Sequence, residues 1–509
     1  RDYYASRGLG DVYKRQGKLI RKITAVTLAI ATAFTLGGCS SEKNKTAAGK
    51  TGNGEKITIR ILENDTAKKS GYLEVLIKSF NKAYKDKGIE AVDANMEEYT
   101  DLATNGPYGY GPDVIYQSND QIMVYAEDKH ILPIEVDKLE CYKQIPESAW
   151  DAYKIVVDGK TYYCGVPVSI QEPMLFYRED MLPEDWQTNW DKDGNGTPDF
   201  FENWNDLYAY SKLLRESDTS ATRTEKYGFM QSLYDPYLAS PFYLSYGAYI
   251  FGKNEDGTYN AADIGFEKND AANGLKALKQ FAGLMYEGCI DDTINLNRYE
   301  KIANGTYFCT VSTPDTYSLF IDKLTLQYES EGNSHSVAAK KAKENLKMTE
   351  LPGLMPKDGD LSKDSDGMAE DDFINTVVMG GVNGYAISSY TKYKDACIEF
   401  VNYATGYDMI SQRTEMLGIA PAREDVAKQT GGMTDMIFKS LSEGRIYLMP
   451  SIKAVVQIWV PAQTVFGEVA KDAFSKSTGT EKYVTTEDFQ KALETIDRNI
   501  YDAIFALAG

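Results

Sequence analysis

Histidine is nearly absent from this chain. Its 509 residues contain only His130 and His335. A multi-histidine metal centre or catalytic site is therefore excluded, because imidazole is the usual transition-metal ligand and general base. His130 precedes an apolar turn and reads as structural. Cysteine is scarce as well. Cys39, Cys141, Cys164, Cys289, Cys309 and Cys397 are scattered, with no CxxC pair. That spacing excludes a zinc ribbon and a dense disulfide framework. The five beyond Cys39 read as ordinary buried thiols, with room for one disulfide whose partners the spacing does not select. Positive charge is in deficit: 55 Lys and Arg face 75 Asp and Glu, a net −20. Seven of the basic residues fall within the first 38, so the remainder is more acidic still. Such a balance opposes nucleic acid and anionic lipid surfaces, and no nucleic-acid partner is expected. It suits an exported protein and divalent cations. No uncharged apolar stretch reaches the roughly 20 residues needed to span a bilayer.

The one apolar run, Ile23 to Leu36, follows Lys18, Arg21 and Lys22 and ends in Leu36-Gly37-Gly38-Cys39. A basic patch, a short apolar run and small residues before a cut site form a secretory signal. The Leu-Gly-Gly-Cys ending resembles the lipobox of bacterial lipoproteins. The resemblance implies cleavage before Cys39 and lipid attached to it, anchoring the chain at the outer face of the cell membrane. Residues 1–16 lack an initiating Met and resemble a translated cloning scar, so they are set aside. Residues 17–38 are then the signal, and 39–55, small and polar, a flexible tether.

From residue 56 the chain reads as α/β. The length suggests about two to three domains. Ile57 to Leu62 largely alternates, as a strand does. Ser70 is placed to cap a helix whose apolar face is Leu73, Leu76, Ile77, Phe80 and Tyr84, with Gly88 ending it. Ile89 to Ala94 reads as a strand, and Pro112 to Tyr116 as a short buried one. Strand–helix–strand at this spacing argues a parallel sheet. Asp158-Gly159 predicts a hairpin turn between Val157 and Tyr163. A helix is expected from Trp204, another over about Ala271 to Gly288, and a last one from Thr486. Residues 323–347 read as a charged helical insertion, and 357–371 as an exposed acidic loop.

One stretch carries a metal signature. Asp191-Lys192-Asp193-Gly194-Asn195-Gly196-Thr197-Pro198-Asp199-Phe200-Phe201-Glu202 matches an EF-hand loop at every ligand position. Asp191, Asp193 and Asn195 stand at 1, 3 and 5, Gly196 at the turn, and Thr197 at 7, where the carbonyl binds. Asp199 stands at 9 and Glu202 at the bidentate position 12. All donors are hard oxygens, so Ca2+ is the expected ion. Pro198 replaces the apolar residue that pairs with a second loop. The site is therefore expected to be solitary and structural, pinning the start of the Trp204 helix.

The order of further pieces carries a family resemblance. They are Gly111 to Tyr116, Asn119-Asp120, Trp150 to Tyr153, Asp158 to Lys160, Pro167 and Tyr177 to Pro183. They continue with Asp235-Pro236-Tyr237, Gly247 to Tyr249, Asn304-Gly305, Thr313-Pro314, Met449-Pro450 and Trp459. Over nearly the whole chain beyond the tether, the sequence resembles extracellular solute-binding proteins of ABC importers, in the maltose/maltodextrin-binding branch. The resemblance implies an α/β fold of two discontinuous lobes joined by a hinge, the periplasmic-binding-protein fold. Residues 56–170 plus 350–405 would form the N-terminal lobe, and 171–349 plus 406–509 the C-terminal one. Crossings are expected near Pro167 to Pro173, Leu351 to Pro356 and Tyr403 to Gly418.

The resemblance also implies a site. Glu63 and Asp65, in the loop after the first strand, match a sugar-binding acid, and Asp120 matches another. Gln117 and Gln121 stand where the family has Trp and Arg. Gln171, with Glu172 adjacent, falls at a hinge-proximal acid. Asp235 and Tyr237 match an acid–Pro–Tyr element whose Tyr stacks on sugar. Asp315 replaces a stacking Trp that Tyr317 could restore. Trp459 falls on a principal stacking Trp. Carboxylates and amides pair with adjacent hydroxyls while rings cover C–H faces, and 37 Tyr, 19 Phe and 5 Trp add a weak hint toward carbohydrate. The expected function is capture of an oligosaccharide by a monomer and delivery to ABC permease subunits, without catalysis. Two alternatives stay open: a secreted glycosidase using paired carboxylates, and a receptor for a peptide or ferric ion.

Overall fold

The computed structural model describes residues 56–157, 160–255, 257–291 and 293–506. The lipobox, Cys39, the tether and Asp158-Gly159 lie outside the described residues. Among the described residues, no helix is long and apolar enough to cross a membrane.

β-Branched residues build the first sheet. Ile57–Leu62 runs parallel to Ile89–Asp93, with Ile57 opposite Ile89, and parallel to Val114–Ser118, with Ile61 opposite Val114. The longest strand, Val378–Ile387, lies antiparallel to Val114–Ser118 on one side and to Val166–Gln171 on the other. Asn383 is the shared register point, opposite both Ser118 and Ser169. Flanking on both edges forces close approach: a Cβ on Gly384 would meet the Val166 carbonyl at 2.4 Å. Ile446–Leu448 completes the sheet, parallel to Val378–Gly380. Helices cover it. Tyr72–Ala83 buries Leu73, Leu76 and Phe80, spaced one helical face apart. Phe80 packs edge-on to Phe400 of the helix Lys394–Ala404, ring centroids 5.1 Å apart. This helix starts after Gly71, in the left-handed region at φ 81°, not after Ser70. Ser70 instead closes a short helix, Asp65–Lys69, that the sequence pattern did not reveal.

The second sheet has four strands in the order Leu346–Thr349, Met174–Arg178, Tyr307–Ser312 and Tyr227–Met230. The first two pairings are antiparallel and the last is parallel. Aromatic residues dominate its core: Trp204 meets Phe229, Phe242 and Phe281, all buried. The charged segment 323–347 is less superficial than its composition suggests. It forms helices Tyr317–Ser330 and His335–Asn345, with Ala338 and Ala342 fully buried, and ends in a sheet strand.

The chain passes from the first sheet to the second between Gln171 and Met174. It returns later than expected. Residues 354–375 stay on the second lobe, where Leu354–Pro356 pairs with Phe373–Asn375 and the Leu354 amide donates to the Glu202 carbonyl at 3.0 Å. The first sheet is re-entered only at Val378. A second correction concerns 406–448, expected in the C-terminal lobe. The helix Tyr407–Leu417 packs on the first lobe through Arg413, and Ile446–Leu448 is a strand of the first sheet. The last crossing therefore follows Leu448, and the helix Trp459–Asp472 then packs on Ala271–Ala282 of the second lobe. Local periodicity marks helices but not the lobe they pack on, so the boundary slipped by a whole helical subunit. Cys141, Cys164, Cys309 and Cys397 are buried free thiols.

One polar knot sits within the first lobe's core. Arg413 is 2% exposed and donates to both oxygens of Glu63, 0% exposed, at 2.7 and 3.3 Å. The guanidinium lies 4.1 Å over the Tyr116 ring and 4.9 Å from the Tyr72 ring, and the Tyr385 hydroxyl donates to the same carboxylate. Removing one partner of such a pair leaves an uncompensated buried charge, costing about 3–5 kcal/mol. Arg413→Ala is therefore expected to lower stability by about that amount in urea unfolding. A loss under about 1 kcal/mol would show that the pair contributes little.

Candidate functional site

The turns that follow parallel strands of the second sheet bring Asp315 and Tyr237 to Gln171, where the chain crosses between the two sheets. Crevices outside the carboxyl ends of parallel strands are the usual binding places in open α/β sheets. After Ile57–Leu62 comes Asp65. After Ile89–Asp93 comes Glu98-Tyr99. After Val114–Ser118 comes Asp120, in the first turn of the helix Asn119–Glu127, where the positive end of the helix favours a carboxylate. From the second lobe, Asp315 follows Tyr307–Ser312, and Tyr237 follows Tyr227–Met230.

Hydrogen bonds tie these groups across the hinge. The Gln171 amide donates from Nε2 to Asp315 Oδ1 at 2.8 Å and accepts at Oε1 from Asn383 Nδ2 at 3.1 Å. The Tyr237 hydroxyl reaches the Gln171 carbonyl at 3.4 Å. In the first lobe, Gln117 Nε2 donates to the Glu98 carbonyl at 2.6 Å, and the Asp65 amide donates to Glu98 Oε2 at 2.9 Å. Asp120 Oδ1 is buried without a partner.

The electrostatics of the cluster follow from crowding carboxylates in a desolvated crevice. Burial raises Glu98 to about 7, against the Asp65 amide bond, with the Asp65 and Asp315 charges adding to the rise. Burial also raises Asp120, opposed by its bond with Ser118. Asp315 is raised by burial too, opposed by Thr313, Arg298 and Gln171. Burial and the charges of Glu172, Asp315, Asp235 and Asp120 push the Tyr237 hydroxyl well above its ordinary value. The crevice thus offers carboxylate oxygens that accept hydrogen bonds beside amides and phenols that both donate and accept them.

The structure therefore brings Asp65, Gln117, Asp120, Gln171, Tyr237 and Asp315 together. It does not bring Glu63, which is consumed by Arg413 inside the core. It turns Asp235 to the backbone, where Oδ1 accepts from the Tyr237 amide at 2.9 Å, so this acid shapes the turn that presents Tyr237. Glu172, 3% exposed, helps line a small cavity with Glu350 and Arg445 at the hinge. Of the two adjacent residues, Gln171 is the one hydrogen-bonded into the cluster, while the Glu172 charge acts on Tyr237. Tyr317 and Trp459 each open a helix and are half buried. Glu98, Tyr99 and Asn383 were missed. The available signal was position alone: Glu97-Glu98-Tyr99 follows the carboxyl end of a parallel strand.

The acidic loop at 191–202 is a second constellation. Gly194 and Gly196 sit at φ 70° and 84°, backbone that glycine adopts without strain. Carboxylate oxygens of Asp193, Asp199 and Glu202 lie within 4.8 Å of one another. The Gly196 amide donates to Asp191 Oδ2 at 3.2 Å, and the Thr197 amide to Asn195 Oδ1 at 2.8 Å.

Comparison with known proteins places this architecture. The family model of the bacterial extracellular solute-binding protein matches residues 75–437. A galactooligosaccharide-binding protein of Bacillus subtilis (strain 168) is 24% identical over 460 residues, covering 89% of this chain and 93% of that protein. The maltodextrin-binding protein MdxE of the same organism is 24% identical over 470 residues, covering 90% and 95%. Among solved structures, the extracellular solute-binding protein from Staphylococcus aureus in complex with maltose superposes with a TM-score of 0.61 at 17% identity. It covers 90% of this chain and all of that one.

The raised Glu98 carboxyl has a consequence for stability. Its folded pKa, about 7, lies above its ordinary value of 4.5, so the folded state holds a proton that the unfolded state has lost. The native protein is expected to weaken, relative to Glu98→Gln, as pH rises from about 4.5 to about 7. The gap would reach about 1–3 kcal/mol above that window. Urea unfolding of both proteins across this range checks it. Parallel stability profiles would contradict the assignment.

Proposed function

Because the chain belongs to the bacterial extracellular solute-binding proteins, we propose that it captures a neutral oligosaccharide between its lobes and hands it to the permease of an ABC importer. One observation carries this reading. The polar groups at the ends of both sheets converge across the hinge, with Gln171 bonded at once to Asp315 of the second lobe and to Asn383 of the long strand. A ligand with many hydroxyls meets there alternating acceptors and donors, with tyrosine rings beside them. Crowded carboxylates disfavour uronates and other anionic sugars by like-charge repulsion. The bound sugars named for the relatives, maltose, maltodextrin and galactooligosaccharide, are of the neutral kind.

Binding energy in this design goes into closure. A ligand that touches both lobes favours the closed arrangement by its differential contacts, and a permease can read that closure. The protein acts as a monomer, held by lipid on Cys39 at the outer face of the membrane, with residues 40–55 giving the lobes reach. No bond of the sugar is broken.

Calorimetric titration with maltooligosaccharides and galactooligosaccharides tests the proposal. At least one series is expected to bind with one site per chain. Asp120→Asn and Asp315→Asn are each expected to weaken that binding by about tenfold or more, since each removes a charged hydrogen-bond acceptor. Labelled sugar incubated with the protein should be recovered intact. No binding across both series, or release of shorter labelled products, would overturn the reading.

A further inference from the structure

The loop Asp191–Glu202 is used by nothing in the sugar site, yet its side chains converge. Asp199 retains 9% exposure, and its Oδ2 is buried without a hydrogen-bond partner. A carboxylate oxygen of this residue shares a 4.8 Å cluster with oxygens of Asp193 and Glu202. Asn195 Nδ2 donates to Asp193 Oδ2 at 2.9 Å and to Glu202 Oε1 at 2.8 Å, so an amide N–H stands between two carboxylates where positive charge is wanted. The donors are all hard oxygens, in the order of a calcium loop, and the Thr197 carbonyl is available as a further ligand.

The neighbourhood of the loop extends to the hinge. The Glu202 carbonyl accepts from the Leu354 amide at 3.0 Å, and Asn203 forms a parallel bridge with Leu354. Asn203 also caps the helix Trp204–Ser217 through the Asn205 amide at 2.8 Å. Asn205 Nδ2 donates to the carbonyls of Asp360 and Lys363 at 3.0 and 3.1 Å. Lys192 pairs with Asp366 at 2.7 Å, and Ser365 donates to Asp206 at 2.8 Å. Trp204 Nε1 donates to Thr376 Oγ1 at 3.0 Å, two residues before the long strand of the first sheet begins.

We propose that Asp191, Asp193, Asn195, Thr197, Asp199 and Glu202 bind one Ca2+, and that the ion fastens the segment 354–376 by which the chain returns to the hinge. Without the ion, the carboxylates repel and Glu202 and Asn203 are loosened. The bonds that dock the start of 354–376, at Leu354, come from these two residues, and those of Trp204, Asn205 and Asp206 follow in the helix they lead into; Asn273, Lys276 and Gln280 hold 357–361 from a separate helix. With the ion bound, the loop closes around it, and the helix cap, the Leu354 bridge and the Trp204–Thr376 contact share one rigid origin. The role is independent of which sugar is bound.

The full chain, stripped with chelator, would be titrated with Ca2+ in a calorimeter, and hydrogen exchange measured with and without the ion. One site per chain is expected. A rise in melting temperature of about 3 °C or more is expected when Ca2+ exceeds its dissociation constant about 100-fold. Amides of 354–376 should gain protection. Asp193→Asn, at an exposed position, should melt like the native protein in chelator yet lose Ca2+ affinity by about tenfold or more. Absence of binding heat together with an unchanged melting temperature would overturn the site. Binding without added protection in 354–376 would overturn the coupling.

Discussion

A single guanidinium, Arg413, holds the floor of the first lobe. Its partner Glu63 ends the first strand, and the rings or hydroxyls around it belong to Tyr72, Tyr116 and Tyr385. These residues lie next to the ones that reach the crevice. Glu63 is two residues from Asp65, Tyr116 adjoins Gln117, and Tyr385 is two residues from Asn383. An ion pair this buried gives little net stability over an apolar replacement, but neither partner tolerates the loss of the other. Its geometric demand is strict, and it fixes the ends of three strands from which the binding groups project. Arg413 itself comes from a helix about 350 residues further along the chain, so the first lobe is complete only when its distant segment docks.

The second constraint is the long strand Val378–Ile387. It pairs with Val114–Ser118 and with Val166–Gln171, and its first residues follow the segment docked on the second lobe. Whatever moves the lobes must act through the three crossings, between Gln171 and Met174, before Val378 and after Leu448. The crevice groups sit against these connections, which makes ligand contact and hinge geometry the same physical problem. Glu172, Glu350 and Arg445 line a small cavity at the hinge, and the Glu172 charge still reaches Tyr237. Gln171 is bonded to Asp315, and the next residue, Glu172, borders the hinge cavity.

Much of this was legible from residue order. The alternation in Ile57–Leu62, the apolar face of Tyr72–Ala83 and the loop at 191–202 are local patterns, and local patterns survive folding. The strands expected at 154–157 and 160–163 pair antiparallel, with Val157 opposite Lys160. What failed was non-local. Glu63 and Asp65 are indistinguishable as acids in a loop, and only the distant Arg413 decides that one is core and the other crevice. Asp235, expected as a ligand acid, also accepts from the Tyr237 amide and so shapes the turn presenting that ring, which residue order does not reveal. Residues 406–448 carry ordinary amphipathic helices, whose sequences do not say which sheet they cover. Glu98 and Asn383 lack any motif, and their significance comes from strands that meet only in three dimensions.

The central claim is that ligand is held by both lobes at once. Small-angle X-ray scattering of the full chain, free and saturated with a maltooligosaccharide or galactooligosaccharide that binds, tests this most directly. A smaller radius of gyration and shorter maximum dimension in the bound state would agree with closure around the sugar. Identical scattering of the free and saturated protein would contradict it.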